Sequence, residues 1–332
     1  EVADWLDWST REYLPYRFWL ENTNRLDDTI GELAGQYADW LYAHYNQLRY
    51  NSDRMAWRAM YRLSDRIKQH SGPVLVVMVD NLNLKFYPQL KRHLHAMGYL
   101  EQDYQPCISM LPSYTEISKK CIFVGDYKPY SDSLGYATMV EGAWSNRTGK
   151  KASYLANIIE LRGVTDRTHD IYFLNYLPID YALHQSDSHT GISHARLVGE
   201  YLNTLANDIH AFARRIGAER DLLLIITSDH GSTRIPRGTV NVIDHNLYRK
   251  HAQDEHHRFI AISKDEAARL PDKIRYECYF LDGKEFDLPA NYLVAATGNL
   301  QNEQEKELLD ILSNDTTWME TPDFDDPDFP LS

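Results

Sequence analysis

The chain has 332 residues, of which 43% are hydrophobic and 25% are charged, and this is the composition of a globular protein with a sizeable core. Its 35 basic and 48 acidic residues give a net charge of -13, which excludes a surface that attracts polyphosphates over its whole extent. A bound phosphate would therefore need a local positive charge, and divalent cations held by carboxylates and imidazoles supply one. The three cysteines form no CxxC pair, and no apolar run reaches the roughly 20 residues that span a bilayer. These features predict a cytoplasmic protein.

The first 70 residues show the periodicity of helices. Apolar side chains recur at helical spacing from Leu33 to Leu48, and again from Met55 to Ile67. We therefore expect residues 1–70 to form a helical accessory segment. This segment holds several tryptophans, and aromatic residues at helical spacing pack in a core more often than they stack on bases.

A different pattern begins after residues 71–73, Ser-Gly-Pro, where the apolar run Val74–Val79 predicts a buried strand of the parallel type. Similar runs at Ile171–Leu174 and Leu222–Thr227 are separated by helical stretches, such as the one from Val198 to Ile216. Strands that alternate with helices predict an α/β fold in which a mostly parallel sheet has helices on both faces. We place this core at residues 71–300 and expect residues 301–332 to be a tail or the start of a further element.

Residues of the types that bind metals follow three of these strands, namely Asp80, Asp180 with His184, and Asp229 with His230. The carboxyl ends of parallel strands meet at one edge of a sheet, where ligands bind. One Asp at a strand end is more often a cap or a turn residue, but three positions that combine Asp and His favour a metal site. Asp180 and His184 are four residues apart and would share one helix face, whereas Asp229 and His230 point in different directions.

The segment Leu111–Gly125 begins with proline and hydroxyl residues and continues as an amphipathic helix. A helix that starts in this way presents a hydroxyl and free backbone N–H groups at one point, which suits a nucleophile that attacks phosphorus. Thr115 is the candidate nucleophile, and Ser113 and Ser118 are its rivals. A capping role fits any one of these hydroxyl residues equally well.

Four segments in this order resemble the PglZ domain, a branch of the alkaline phosphatase superfamily found in phage-defence (BREX) systems and in some response regulators. They are VLVVMVDN at 74–81, LPSYTEISKKCIFVG at 111–125, FLNYLPIDYALH at 173–184 and IITSDHGSTR at 225–234. The resemblance covers roughly residues 70–300 and implies an alkaline-phosphatase-like core. It also implies a metal-dependent phosphoric ester hydrolase, a phosphodiesterase or phosphatase, with nucleotides or nucleic acid as substrate and other defence-system proteins as partners.

The resemblance further implies two metal sites. The first ion would be surrounded by Asp80, Thr115, Asp229 and His230, with Thr115 as the nucleophile. The second ion would be held by Asp180 and His184, and Lys119 would face the phosphoryl group. Zinc is the expected ion, with manganese or magnesium as alternatives in an oxygen-rich site. Two ions about 4 Å apart would stabilise the attacking and the leaving oxygen.

The chain departs from the family pattern in two places. The family usually completes the second site with a late His-Gly-Gly segment, which does not occur before Ser332. His257 is the candidate for the missing ligand and His256 is its alternative, although both also fit the edge of a strand; otherwise the ligand lies beyond Ser332. Asn81 stands where the family often has Gly, and it is a candidate to bind substrate.

These departures leave other functions open. An incomplete second site would suit a catalytically weakened PglZ module that acts as a binding or scaffold component of a phage-defence complex. A relative that acts on sulfate esters or transfers phosphate is a third alternative, because a fold does not determine the transferred group.

Overall fold

The structure is a computed structural model that describes residues 2–23, 25, 27–128, 134–185, 194–231, 259–271 and 278–295. Two of the predicted ligand positions, His256 and His257, lie outside the described residues, as does the predicted C-terminal segment 301–332. The side chain of His184 also lies outside this description, although its backbone is included.

The N-terminal part of the chain is helical, as the periodicity predicts. Its elements are α1 (Val2–Trp8), a π-helical turn (Ser9–Tyr13), α2 (Leu14–Thr23), α3 (Asp28–Asn51) and α4 (Ala56–Gln69). The ring of Trp5 lies 5.5 Å from the rings of both Trp8 and Tyr37, and Trp57 is buried with its indole N–H donating to the carbonyl oxygen of Arg49 at 3.0 Å. These tryptophans therefore pack within the helical segment.

A four-stranded parallel sheet in the order β2-β3-β1-β4 lies at the centre of the fold. Its strands are β1 (Val74–Val79), β2 (Ala152–Leu155), β3 (Ile171–Tyr176) and β4 (Leu223–Thr227). Every residue of β1 and β3 is buried, which explains why their sequences are apolar except for Asn175 in β3. The predicted strands are found with ends that differ by at most two residues, whereas β2 was not predicted.

Helices cover both faces of this sheet. One face packs against α5 (Tyr87–Ala96), α8 (Ile158–Gly163), α9 (Pro178–Gln185) and α10 (His194–Arg215). The other face packs against α4, α6 (Thr115–Val124) and α7 (Tyr136–Thr148). The periodic apolar residues predicted between Val198 and Ile216 are all buried, so the stripe on α10 faces the sheet. The predicted α/β class, with helices on both faces, is confirmed.

A second sheet of three antiparallel strands was not predicted. It consists of β5 (Phe259–Ala261), β6 (Cys278–Leu281) and β7 (Tyr292–Ala295) in the order β5-β7-β6, with the short helix α11 (Lys264–Ala268) after β5. Leu281 and Tyr292 share a buried cluster with Tyr45 and Met55, so this sheet packs against the N-terminal helices. None of the described helices is both long enough and apolar enough to cross a membrane.

Candidate metal centre

The carboxyl ends of two neighbouring strands bring acidic and imidazole side chains together. Asp80 directly follows β1, and its backbone N–H donates to the carbonyl oxygen of Tyr176 at 2.9 Å, which extends the ladder between β1 and β3. Asp229 and His230 follow β4, the neighbour of β1 on its other side. Asp80 is 2% exposed, Asp229 is 0% exposed and His230 is 5% exposed. One ligand atom of each residue lies within 4.8 Å of the others, which is close enough for all three to bind one metal ion.

Each carboxylate of this cluster has one bonded oxygen and one open oxygen. Oδ1 of Asp229 accepts the backbone N–H groups of His230 at 2.9 Å and Asn81 at 3.2 Å, and Oδ2 of Asp80 lies 2.5 Å from Nζ of Lys119. Oδ1 of Asp80 and Oδ2 of Asp229 are buried and have no hydrogen-bond partner among the described residues. A buried acceptor without a partner costs about 1–3 kcal/mol, and more when it is charged.

Both open oxygens lie within 4 Å of one nitrogen of the His230 ring. Nε2 of His230 is 3.9 Å from Oδ1 of Asp80 and 3.5 Å from Oδ2 of Asp229. Nδ1 of the same ring lies 3.1 Å from the carbonyl oxygen of Gly231, to which a neutral ring would donate from Nδ1, leaving the lone pair on Nε2 for a metal ion. Two carboxylate oxygens and one imidazole nitrogen, all acceptors, therefore fit a divalent cation.

The hydroxyl of Thr115 contacts the same nitrogen. Thr115 is the first residue of α6, and its Oγ1 lies 2.8 Å from Nε2 of His230, to which the hydroxyl donates. The first hydrogen bond of the helix runs from the N–H of Ile117 to the carbonyl oxygen of Tyr114, so the N–H groups of Thr115 and Glu116 precede the intrahelical ladder. This end of α6 therefore has a partial positive charge beside the threonine hydroxyl.

The two rival hydroxyls lie elsewhere. Ser118 is fully buried, and its Oγ lies 3.2 Å from the hydroxyl of Ser109. Ser113 is exposed, two residues before the start of α6. The described contacts therefore place Thr115, and neither serine, beside the acceptor cluster.

Asn81 forms hydrogen bonds both with Asp229, a predicted ligand of the first ion, and with Asp180, a predicted ligand of the second ion. Its backbone has a φ of 60°, a left-handed conformation that Gly and Asn adopt more readily than other residues. Its backbone N–H donates to Asp229, while its side-chain Nδ2 donates to Oδ1 of Asp180 at 3.1 Å. Asp180 lies in the first turn of α9 and is not a member of the three-residue cluster found among the described residues. His184 lies in the last turn of the same helix, but its side chain is outside the described part of the structure, so the predicted pairing of the two side chains stays a prediction.

Burial and like charge control the ionisation of Asp80. Burial, which is the largest cause, and the negative charge of Asp229 together raise the pKa of Asp80 to about 6, although the ammonium of Lys119 lowers it. The strand ends thus hold more negative charge than their surroundings neutralise. A bound cation would relieve this repulsion, which is a second reason that the residues fit a metal.

Two serines that the sequence did not single out hold the loop after β4 in place. Ser228 accepts the backbone N–H of Leu82 at 3.1 Å and donates to the carbonyl oxygen of His230 at 2.6 Å. Ser109 donates to the carbonyl oxygen of Asp229. Ser228 directly precedes Asp229 in the sequence, which is a signal that could have identified it. Ser109 lies 120 residues from its partner, and no local pattern marks it.

Comparison with known families gives one match. The family described as the BREX system PglZ alkaline phosphatase-like domain matches residues 63–271, which is more than half of the chain. The matched range contains every predicted ligand position from Asp80 to His257. No curated protein was found to be similar to the chain.

Proposed function

Since this chain belongs to the PglZ family of alkaline phosphatase-like domains, we propose that it is a metal-dependent phosphoesterase with Thr115 as its nucleophile. One observation carries the proposal: Oγ1 of Thr115 lies 2.8 Å from Nε2 of His230, beside the open oxygens of Asp80 and Asp229. A divalent cation at this place would help to deprotonate the hydroxyl and would neutralise charge on the phosphoryl oxygens. We propose zinc as the ion and manganese as the alternative, because an imidazole accompanies two carboxylates.

The residues of the chain contribute position and charge. The contact with His230 places the threonine hydroxyl beside the nitrogen that would bind the ion, and an ion bound to the lone pair of Nε2 would replace this hydrogen bond and lie next to Oγ1. The start of α6 also places N–H groups that precede the intrahelical ladder where an anionic phosphoryl group would be favoured. Asn81 orients both Asp229 and Asp180, so it is positioned to influence substrate binding through these carboxylates. The side chains of Asp80, Asp229 and His230 are almost completely buried, so they would interact with a bound phosphoryl group in surroundings that contain little water.

Family membership supports a phosphodiester of a nucleotide or nucleic acid as the substrate class, and other proteins of a defence system as partners. The net charge of -13 does not oppose this, because a divalent cation at the strand ends would supply the local positive charge that a phosphoryl group needs. We also propose that residues 71–300 form the catalytic core and that residues 1–70 are an accessory segment packed against it.

Hydrolysis of bis(p-nitrophenyl) phosphate in the presence of zinc, manganese or magnesium tests the proposal. Thr115→Ala should lower the rate at least about a hundredfold while it leaves the thermal unfolding temperature nearly unchanged, because the hydroxyl serves the chemistry and contributes little to packing. Ser113→Ala is the matched control, since it removes an exposed hydroxyl from the same segment and should leave the rate unchanged.

The outcomes separate the candidate functions. If Thr115→Ala turns over as fast as the native chain, Thr115 is not the nucleophile. If the native chain binds metal but hydrolyses neither diesters nor monoesters, the catalytic proposal is wrong and a binding or scaffold role in a defence complex explains the domain better.

A further inference from the structure

A buried ion pair lies within the candidate metal centre. Lys119 is on α6, one turn after Thr115, and its side chain is 4% exposed. Its Nζ lies 2.5 Å from Oδ2 of Asp80, whose side chain is 3% exposed. The family resemblance predicts that this lysine faces the phosphoryl group, and in the structure its ammonium contacts the metal-ligand candidate Asp80. Lys119 therefore takes one of the two oxygens that Asp80 could offer to a cation.

The charges around this pair do not cancel. Within the described cluster, Asp80 and Asp229 contribute two carboxylates, and Lys119 contributes one ammonium. One negative charge therefore remains, and two carboxylate oxygens of the same cluster, Oδ1 of Asp80 and Oδ2 of Asp229, have no hydrogen-bond partner among the described residues. A divalent cation would change this buried group from net negative to net positive.

We propose that Lys119 is a fixed counter-charge that limits how tightly the centre binds its metal ion, an inference that rests on the proposed metal site. The ammonium restricts Asp80 to one available oxygen, because Oδ2 is already bonded. It also repels a cation bound to Oδ1 of the same carboxylate, where two positive charges would be a few ångströms apart in a region of low dielectric constant. Both effects act against binding, so Lys119 is a positioning residue whose removal strengthens metal binding.

The same pair explains how the fold can form before metal is bound. Without Lys119, Asp80 and Asp229 would be two adjacent buried carboxylates with no cation, and breaking a buried ion pair by removing one partner is strongly destabilising. Lys119 lowers this repulsion in the metal-free chain. The centre can therefore gain and lose its ion without unfolding, in contrast to small domains that fold only around their metal.

Mn²⁺ titration of Lys119→Met tests the inference, with Lys120→Met as the matched control. Lys120 is the next residue of the same helix, and its ammonium lies over the ring of Tyr136 with Nζ 5.9 Å from the ring centre. Isothermal titration calorimetry should give a Kd for Lys119→Met at least tenfold lower than that of the native chain. Lys120→Met should remain within about twofold of the native value. Thermal unfolding supplies a readout without any substrate. Metal-free Lys119→Met should unfold at a lower temperature than the native chain, and Mn²⁺ should raise its unfolding temperature by more than it raises that of the native chain.

If Lys119→Met folds only with metal, it can be prepared with Mn²⁺ and the ion withdrawn by a chelator of known affinity, which yields the same Kd. An equal or higher Kd in this variant would overturn the inference and show that Lys119 holds Asp80 in an orientation that metal binding requires. A native chain that binds no Mn²⁺ would overturn it as well. Tighter binding by Lys119→Met without hydrolysis by any variant would refute the phosphoesterase proposal and leave the role of Lys119 intact.

Discussion

Asp229→Asn tests with one conservative change whether the buried acceptors at the strand ends bind a metal. Asp229 is fully buried, and its Oδ1 accepts hydrogen bonds from the backbone N–H groups of His230 and Asn81. Asparagine can keep that acceptor oxygen, while its amide nitrogen replaces Oδ2 and cannot bind a cation. The variant therefore preserves the shape and the known hydrogen bonds and removes the charge.

Without metal, Asp229→Asn should be at least as stable as the native chain. The pKa of Asp80 is raised from 3.8 to about 6, which corresponds to roughly 3 kcal/mol lost when Asp80 is charged. Because the pKa is raised in the folded chain, the loss of folding free energy begins near pH 3.8, the pKa of Asp80 in the unfolded chain. It grows until about pH 6 and is complete above that pH. Burial is the larger cause and Asp229 the second, so removing the Asp229 charge should recover up to about 1 kcal/mol at pH 7.5.

With metal, the order of stabilities should reverse. An ion that binds only the folded native chain stabilises it by about 2.7 kcal/mol when its concentration is one hundred times the Kd. For a protein of this size, that corresponds to a rise of roughly 4 °C in the unfolding temperature. Asp229→Asn should lose most of this rise, because one of the three ligand atoms is gone.

Differential scanning calorimetry at pH 7.5, first with a chelator and then with Zn²⁺ or Mn²⁺, measures both effects. Asp53→Asn is a suitable control, since Asp53 is an exposed acidic residue that pairs with Arg58 and Arg62 at the surface. This control should keep the full metal-dependent rise. The reasoning is wrong if Asp229→Asn is several kcal/mol less stable without metal and still shows the native rise with it, because Asp229 would then serve the fold while the ion binds elsewhere.

Two further changes probe the support of the centre. Asn81→Ala should be less stable than Asn81→Gly by about 1–2 kcal/mol in urea unfolding, because only glycine adopts the left-handed backbone of this position without strain; equal stabilities would show that the backbone relaxes. Ser109→Ala should cost about 1–3 kcal/mol and raise the Kd for Mn²⁺, because the carbonyl oxygen of Asp229 loses a half-buried donor. A Ser109→Ala variant with native metal affinity would show that the loop after β4 keeps its position without this bond.

The fold was predictable where burial imposes a strong pattern. β1 and β3 are buried along their whole length, so β1 is a continuous apolar run, and β3 begins with one that Asn175 interrupts at the next-to-last position of the strand. β2 and the three-stranded sheet escaped prediction because strands of three or four residues are too short to show a period. Pairing between β5 and β7 also joins residues more than thirty positions apart, such as Phe259 and Val294, which no local pattern reveals.

The part of the candidate site that could be predicted is the part that the order of the strands determines. Asp80, Asp229 and His230 follow neighbouring parallel strands, so their meeting at one edge follows from the sheet alone. The partner of Lys119 could not be predicted in the same way, because helical spacing relates it to Thr115 and says nothing about its distance from Asp80. Side-chain contacts across elements depend on how α6 packs over the end of β1, and that packing is a property of the whole fold.

The number of ions per chain remains to be measured, and we expect one that is tightly bound. The three-residue cluster supplies one site among the described residues, whereas Oδ1 of Asp180 accepts the amide of Asn81. Asp180 and His184 alone would be two ligands, and catalytic zinc sites typically use three protein ligands plus water. Metal analysis after dialysis should therefore give close to one ion for the native chain and for His257→Ala.

The same analysis distinguishes a weak second site from one that His257 completes. If the native chain retains two ions, His257→Ala one, and His256→Ala two, His257 is the third ligand, and the second site is complete within residues 1–332. Two ions retained by both histidine variants would show that another residue holds the second ion, and the expectation of one tightly bound ion would be wrong. Asp229→Asn supplies the internal reference, because it removes a ligand of the first site only and should lower the count by one in every case.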